Sequence, residues 1–149
     1  MPITPQTVAT VRARISTAIS TALAGAGWRE SRVVFDLFPG DTRQIVHKSY
    51  AVGVTSTAPA TTNERQTPHR GSVVQTRVAV RFCARVRADA QVSDYAAALV
   101  LEADLLEAIK TAVVMLTYRG TTQRTVTGDG TLFLCEVEWS ALHRIALST

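Results

Sequence analysis

Three histidines, two cysteines and a few closely spaced polar residues are the side chains of this sequence that could do chemistry. His47, His69 and His143 lie far apart, and none stands four positions from another potential ligand. That spacing does not favour a metal site. Ser140 lies near His143, but neither a strand–turn–helix elbow nor an orienting acid accompanies the pair. We therefore expect neither a metal centre nor a Ser–His catalytic pair.

Other candidate groups have simpler interpretations. Glu136 and Glu138 alternate on a predicted strand and could hold Mg²⁺ in a nuclease, but such pairs more often form a solvated face. Cys83 and Cys135 are predicted to be buried thiols, although adjacent strands could bring them together. No glycine-rich phosphate loop is present. The sequence predicts a protein that is not an enzyme and binds no cofactor.

Length and composition describe one domain over residues 1–149. Apolar residues make up 46% and charged residues 19% of the chain, a globular composition. No run approaches the roughly 18 apolar residues of a membrane helix, and no secretory signal is visible, so we expect synthesis in the cytoplasm and no membrane association. Residues 1–87 hold 12 basic and 4 acidic side chains, whereas residues 88–149 hold 4 and 8. The basic and acidic side chains of the two halves can pair with each other within one fold or between neighbouring copies of the chain.

The first half of the chain is predicted to be a helix followed by strands. Thr4 is expected to cap a helix that ends at Gly25 and Gly27. Two strands are predicted after it, at Val33 to Phe38 and at Val46 to Val54. Residues 55–72 are polar and contain two prolines, so we expect a long mobile loop there.

The clearest strand of the sequence is Val74 to Val86, where apolar residues alternate without a break. Its opposite face is predicted to carry a row of arginines, whose guanidinium groups suit carboxylates or phosphates. The members of the row are Arg77, Arg81, Arg85 and Arg87.

A long helix is expected to follow, capped by Ser93 and running to about Leu116. Asp104 and Glu107 face away from its apolar side, but Glu102 falls near the middle of the apolar stripe. A carboxylate there is costly unless it is paired. Two interpretations stay open: Glu102 pairs with an arginine of the row, in the same chain or a neighbour, or it reaches water at the edge of the stripe.

The sequence closes with a polar link, a turn at residues 128–130 and a strand from Thr131 to Trp139. Residues 140–147 could extend this strand past a bulge or form a short final one. The order of elements predicts an α+β fold, an antiparallel sheet of about four to five strands with two helices packed on one face.

Nucleic acid is a possible partner of the basic half. Residues 64–87 hold six arginines against one acid, and arginine rows bind phosphates well. Single-strand binding, however, normally interleaves aromatic side chains with the basic ones, and this strand face has none. A small basic module that binds nucleic acid through diffuse phosphate contacts is therefore the alternative hypothesis.

The order of elements, the length and the long polar segment before an alternating strand resemble phage tail terminator proteins. These small α+β proteins form a ring, typically a hexamer, that caps the tail tube of long-tailed phages. The resemblance covers essentially the whole chain. It rests on Thr4 to Ala26, Phe38-Pro39-Gly40, Val73 to Val86, the helix from Ser93 and the strand from Leu132.

The resemblance implies a virion protein at the head–tail junction. Its partners would be further copies of itself, the tail tube protein and the neck or connector protein; a neck or connector protein on the head side is an alternative. The arginine row would meet acidic residues of a neighbour, such as Asp104 and Glu107, or line a lumen that contacts DNA. The polar loop, with Arg65, His69 and Arg70, would contact the tube or the neck.

Overall fold

Two helices lie on one face of a mostly antiparallel sheet. The computed structural model describes residues 5–31, 47–60, 73–113, 115–127 and 130–145. The elements in chain order are β1 (Pro5–Gln6), α1 (Val8–Leu23), β2 (Arg29–Glu30), β3 (Ser49–Pro59), β4 (Val73–Arg85), α2 (Gln91–Ile109), β5 (Leu116–Val126) and β6 (Leu132–Ile145). The α+β fold predicted from the sequence is confirmed.

β6 is the centre of the sheet. It pairs with β4 along one edge and with β5 along the other, in both cases antiparallel. β3 continues the sheet beyond β4, while the two-residue strands β1 and β2 pair in parallel with β6 and β3. The described strands therefore form one six-stranded sheet in which every long pairing is antiparallel.

The hydrophobic core lies between this sheet and the two helices. Val11, Ile15 and Ile19 recur on one side of α1 and are fully buried. They pack with the alternating residues of β4, from Val78 to Ala84, and with those of β6, from Phe133 to Ala141. The apolar residues of β4 alternate because one face of the strand packs in the core against the helices, as the sequence predicted.

The structure corrects several predicted boundaries in the first half. Thr7, not Thr4, caps α1, since its hydroxyl accepts the Thr10 N–H at 3.1 Å, and Pro5 belongs to β1. The polar segment begins later than predicted, because residues 55–59 belong to β3 and pair with β4. The predicted strand at 33–38 and residues 61–72 of the predicted loop lie outside the described residues.

Further corrections concern the second half. Ser93 is not the cap of α2; its hydroxyl donates to the Ala90 carbonyl, and the helix ends at Ile109 instead of continuing to Leu116. The polar link after it is the strand β5. β6 runs unbroken from Leu132 to Ile145, with constant register against β4, so the tail extends the strand without a bulge on that side.

β5 was missed because its side chains do not alternate. Its register against β6 shifts between Tyr118 and Gly120 and again between Thr121 and Gln123. Each bulge inserts an extra residue, so the positions that face the helices recur every third residue. These positions are Tyr118, Thr121 and Arg124, which lie opposite the core residues of β6.

Candidate assembly surface

The arginines in the middle of the predicted row are paired within the chain. On the sheet face opposite the helices, the Arg81 Nε atom lies 2.6 Å from a Glu136 carboxylate oxygen, and Arg77 Nη1 lies 2.9 Å from Glu138 Oε1. β4 and β6 place Arg81 directly opposite Glu136 in the ladder, the arrangement in which opposite charges stabilise a sheet. The two carboxylates considered for Mg²⁺ therefore neutralise arginines instead.

Arg87 is also paired, at the junction between β4 and α2. Its guanidinium contacts both carboxylate oxygens of Asp94, at 2.9 and 3.1 Å, and its backbone N–H donates to the same group. The hydrogen bond from the Arg87 side chain is the main reason why the pKa of Asp94 lies below its ordinary value. Arg85 differs, because no carboxylate among the described residues pairs with its guanidinium; its backbone N–H donates to Nδ1 of His47 at 2.8 Å.

Glu102 is buried between α2 and β5. Only 6% of its side chain is exposed, and it accepts two hydrogen bonds from Arg124, at 2.7 and 2.8 Å, and one from the Thr121 hydroxyl. Burial alone would raise the pKa of Glu102, but the Arg124 and Thr121 hydrogen bonds outweigh it, and the pKa lies below its ordinary value. The interpretation with Glu102 in water was wrong, and its partner is an arginine of β5, outside the predicted row.

α2 carries apolar side chains on two sides. Ala98, Leu105 and Ile109 face the sheet and are buried. At 100° per residue, a second apolar set lies on the outward flank of the same helix. Its large members, with their exposed fractions, are Val92 (85%), Tyr95 (38%) and Leu99 (37%). We call these three residues, together with the exposed Ala96 and Ala103, the outer stripe.

The outer stripe was not identified from the sequence. The signal was present, since the helix holds apolar residues almost all round and only Asp94, Glu102, Asp104 and Glu107 are charged. Helices that are apolar all round are buried on all sides. In this chain the outward flank of α2 is only partly covered within the described structure: Val92 is 85% exposed, whereas the Tyr95 ring packs edge-on against the buried Phe133 with ring centroids 5.6 Å apart.

A hollow lies on the opposite flank of α2, between the helix and the ends of β3 and β4. It has a volume of about 530 Å³. Its lining includes the buried Ala84 and Ala98 and the exposed Ala97, whose short side chains leave the space open, and exposed cationic side chains stand at its rim. The remaining lining residues are His47, Lys48, Arg85, Arg87, Asp94, Val100 and Leu101.

The remaining predicted site residues fall in two places. Asp104 and Glu107 are exposed on α2, as predicted, and Glu107 is paired with Lys110 one helical turn away, at 2.5 Å. Their predicted contact with the arginine row of a neighbour has lost most of its basis, because Arg77, Arg81 and Arg87 already have carboxylate partners in their own chain. Arg65, His69 and Arg70 lie outside the described residues.

The residues with nucleophilic side chains are held inside the fold. Cys83 and Cys135 are buried on opposite faces of the sheet, because Cys135 pairs with Phe82 and Cys83 with Leu134, so they cannot form a disulfide. Burial is the main cause that raises the pKa of Cys83 to about 11 and that of Cys135 to about 12. The thiol form predominates in both at neutral pH.

His143 belongs to a buried hydrogen-bonded network. Its Nε2 atom lies 2.7 Å from the Thr76 hydroxyl, and its Nδ1 atom lies 3.2 Å from the Gln6 carbonyl of β1. The nearby Ser140 hydroxyl instead contacts Gln75 and Arg119. The two side chains point to opposite faces of β6, so they do not form a catalytic pair.

A metal site and a membrane-spanning helix are both absent from the part of the chain that the structure describes. No three His, Cys, Asp or Glu side chains there converge as metal ligands. No described helix is both long enough and apolar enough to cross a bilayer.

Comparison with protein-family models and with curated protein sequences finds no match to this chain.

Proposed function

We propose that this chain is a structural subunit that assembles through α2 into a ring, which caps the tail tube of a long-tailed phage and joins it to the connector of the head. The observation that carries the assembly step is the outer stripe. Val92, Tyr95 and Leu99 form a row at i, i+3 and i+7 on α2, about a quarter turn around the helix axis from the residues that face the core. The resemblance of the order of elements to tail terminator proteins supports the ring and its place in the virion.

The energetics of the outer stripe favour association. Burying a large apolar side chain stabilises a complex by up to about 1.5–3 kcal/mol. Tyr95 and Leu99 are already more than half buried in the single chain, so only Val92 approaches this figure. Together, at every contact in a closed ring, the three residues offset part of the entropy that association costs. Exposed apolar patches on protein surfaces mark interaction sites for the same reason.

The ion pairs of the sheet weigh against the alternative of a nucleic-acid-binding module. Phosphate contacts need cationic side chains that are free to exchange counterions for the nucleic-acid backbone. Arg77 and Arg81 lie beside Glu138 and Glu136, whose negative charges would repel a phosphate at the same place. The proposed function therefore does not rely on DNA contact by the arginine row.

Solution mass tests the proposal. Native mass spectrometry and light scattering of the wild-type chain, alone and with purified tail tubes, should give a mass near six subunits of 16.1 kDa, or a cap bound to tube ends. Leu99→Glu should lower the assembled fraction by at least tenfold, because it places a charge in the outer stripe. Ala13→Glu adds the same charge at an exposed position of α1 and is the matched control.

Two outcomes would overturn the proposal. One is a wild-type chain that stays monomeric and binds no tubes. The other is an assembly that tolerates Leu99→Glu as well as it tolerates Ala13→Glu. A cap that binds the connector alone would instead favour the head-side neck alternative.

A further inference from the structure

The two flanks of α2 have opposite shapes. Leu99 on the outer stripe and Ala97 in the hollow are two residues apart, which separates them by about 200° around the helix axis. On the first flank Val92 protrudes, with 85% of the residue exposed, and Tyr95 and Leu99 are each more than one third exposed, although the Tyr95 ring also packs against Phe133. On the other flank the surface recedes, because Ala84, Ala97 and Ala98 leave a hollow of about 530 Å³. One flank is a ridge, and the other is a socket of a size that suits large side chains.

The charges beside the two flanks are also opposite. The rim of the hollow carries Lys48 and Arg85, and no carboxylate of the described residues pairs with the Arg85 side chain. Glu107 stands next to the outer stripe with 70% of its side chain exposed, and its partner Lys110 is itself more than half exposed. An exposed pair of this kind contributes little stability, so Glu107 can exchange Lys110 for another cation at small cost.

We infer that the hollow of one copy receives the outer stripe of the next copy, with Glu107 of the second copy beside Arg85 of the first. This inference rests on the proposed function and names the complementary surface that the outer stripe meets. Helix ridges pack into grooves beside another helix, and three alanines at the groove let the two α2 helices approach closely. The contact joins two different patches, so it is heterologous, and it generates a ring when the rotation between copies closes.

Disulfide trapping tests this arrangement. Chains carrying Ala97→Cys are mixed with chains carrying Leu99→Cys and oxidised under assembly conditions. The native cysteines are buried and should stay unreactive. The mixture should give a covalent two-chain product, and neither variant alone should give one. Ala97→Cys mixed with Ala13→Cys, whose second thiol lies on the exposed side of α1, is the matched control and should give none.

The possible outcomes separate this inference from the proposed function. Covalent dimers from Leu99→Cys or Ala97→Cys alone would show a two-fold contact between like patches and would overturn the head-to-tail arrangement. A ring that forms without the mixed cross-link would leave the proposed function intact but would overturn the socket. A chain that never assembles would overturn the proposed function itself. If Ala97→Trp, which fills the hollow, spares the ring but blocks tube binding, the occupant is the tube protein and the inference is wrong.

Charge reversal tests the Glu107–Arg85 contact separately. Arg85→Glu and Glu107→Arg should each weaken assembly several-fold, and the double variant should recover most of the loss. A double variant no better than either single one would remove this ion pair from the contact. Ala13→Arg is the matched control, because it adds the same positive charge at an exposed position of α1, outside both flanks of α2.

Discussion

The two sides of the sheet carry the same kind of ion pair in different surroundings. On the helix side, Arg124 of β5 pairs with the Glu102 side chain of α2, which is only 6% exposed. On the opposite side, Arg81 and Arg77 meet glutamates that are 20% and 23% exposed, across the ladder between β4 and β6. The distances are similar, from 2.6 to 2.9 Å.

This difference shows that the burial of an ion pair, more than the distance between its atoms, decides how much it contributes to the free energy of unfolding. A buried carboxylate that loses its partner stays in a medium of low polarity, whereas an exposed one is solvated by water. The Glu102 side chain is almost entirely shielded from water by its neighbours, with 6% of it exposed. Glu136 and Glu138 are partly solvated already.

Removing the partner of the buried carboxylate should have the largest effect. We expect Arg124→Ala to lower the free energy of unfolding by about 2 kcal/mol, less than for a fully buried pair because Arg124 itself is half exposed. Urea unfolding of the variant and of Thr125→Ala, at an exposed neighbouring position of β5, measures it. A loss equal to that of the Thr125 variant would contradict the buried-pair interpretation.

Neutralising the carboxylate should cost less, and the cost should depend on pH. Glu102→Gln keeps the bond to Thr121, so we expect a loss of about 1 kcal/mol at pH 7. The folded-state pKa of Glu102 lies below the ordinary value of 4.5. Its ionised form therefore contributes stability that is present above pH 4.5 and is lost as the pH falls through the folded-state pKa.

Unfolding curves from pH 7 down to pH 3 test whether the stability contributed by ionised Glu102 is lost in acid. The gap in stability between wild type and Glu102→Gln should narrow as the pH falls below 4.5. A gap that widened in acid would show that the folded protein favours the protonated form, and the assignment of Arg124 as the dominant partner would be wrong.

The pairs on the opposite side should matter less. Arg81→Ala and Arg77→Ala should each lower the free energy of unfolding by under about 1 kcal/mol. The Arg81 change should be the larger, because its side chain is 29% exposed and that of Arg77 is 57% exposed. Adding 0.5 M salt should reduce the Arg77 effect more than the Arg124 effect, since exposed pairs are screened. The reverse order in either comparison would contradict the role given to burial.

The two thiols should not differ in reactivity, although they lie on opposite sides of the sheet. Cys83 lies on one side and Cys135 on the other, yet burial raises the pKa of both, to about 11 and about 12. Titration of the native protein at pH 8 with a thiol-specific disulfide reagent should therefore give almost no signal, and two thiols should react after unfolding in urea. Rapid reaction of one thiol in the native state would reveal local opening on its side of the sheet.

β4 and β5 show how far the sequence could predict the fold. In β4 one face is buried along its length, so polarity alternates and the strand was predicted within one residue at each end. β5 lies at an edge and contains two bulges, so no period of two exists in its sequence. Bulges depend on pairing with β6, which is a tertiary contact that no local pattern encodes.

The surroundings of the candidate site residues were predictable only in part. The position of Glu102 in the apolar stripe predicted a carboxylate that needs a partner, and the structure supplies Arg124. The partner could not be predicted because it lies on the strand that was missed. Arg77, Arg81 and Arg85 lie on one face of β4, but the row was expected to meet a neighbour or to line a lumen, since sequence periodicity does not reveal that β6, with Glu136 and Glu138, pairs with β4.

The bulges of β5 also protect the free edge of the sheet. Within the described part of the chain, β5 pairs along one side only, with β6. A straight edge would offer its open N–H and C=O groups to any strand of another molecule and invite growth of the sheet without limit. Two bulges within six residues, one of them beside Gly120 with φ 133°, interrupt that template. The edge thereby resists fibre formation, and the assembly proposed above would join copies through side chains, whose geometry can limit how many join.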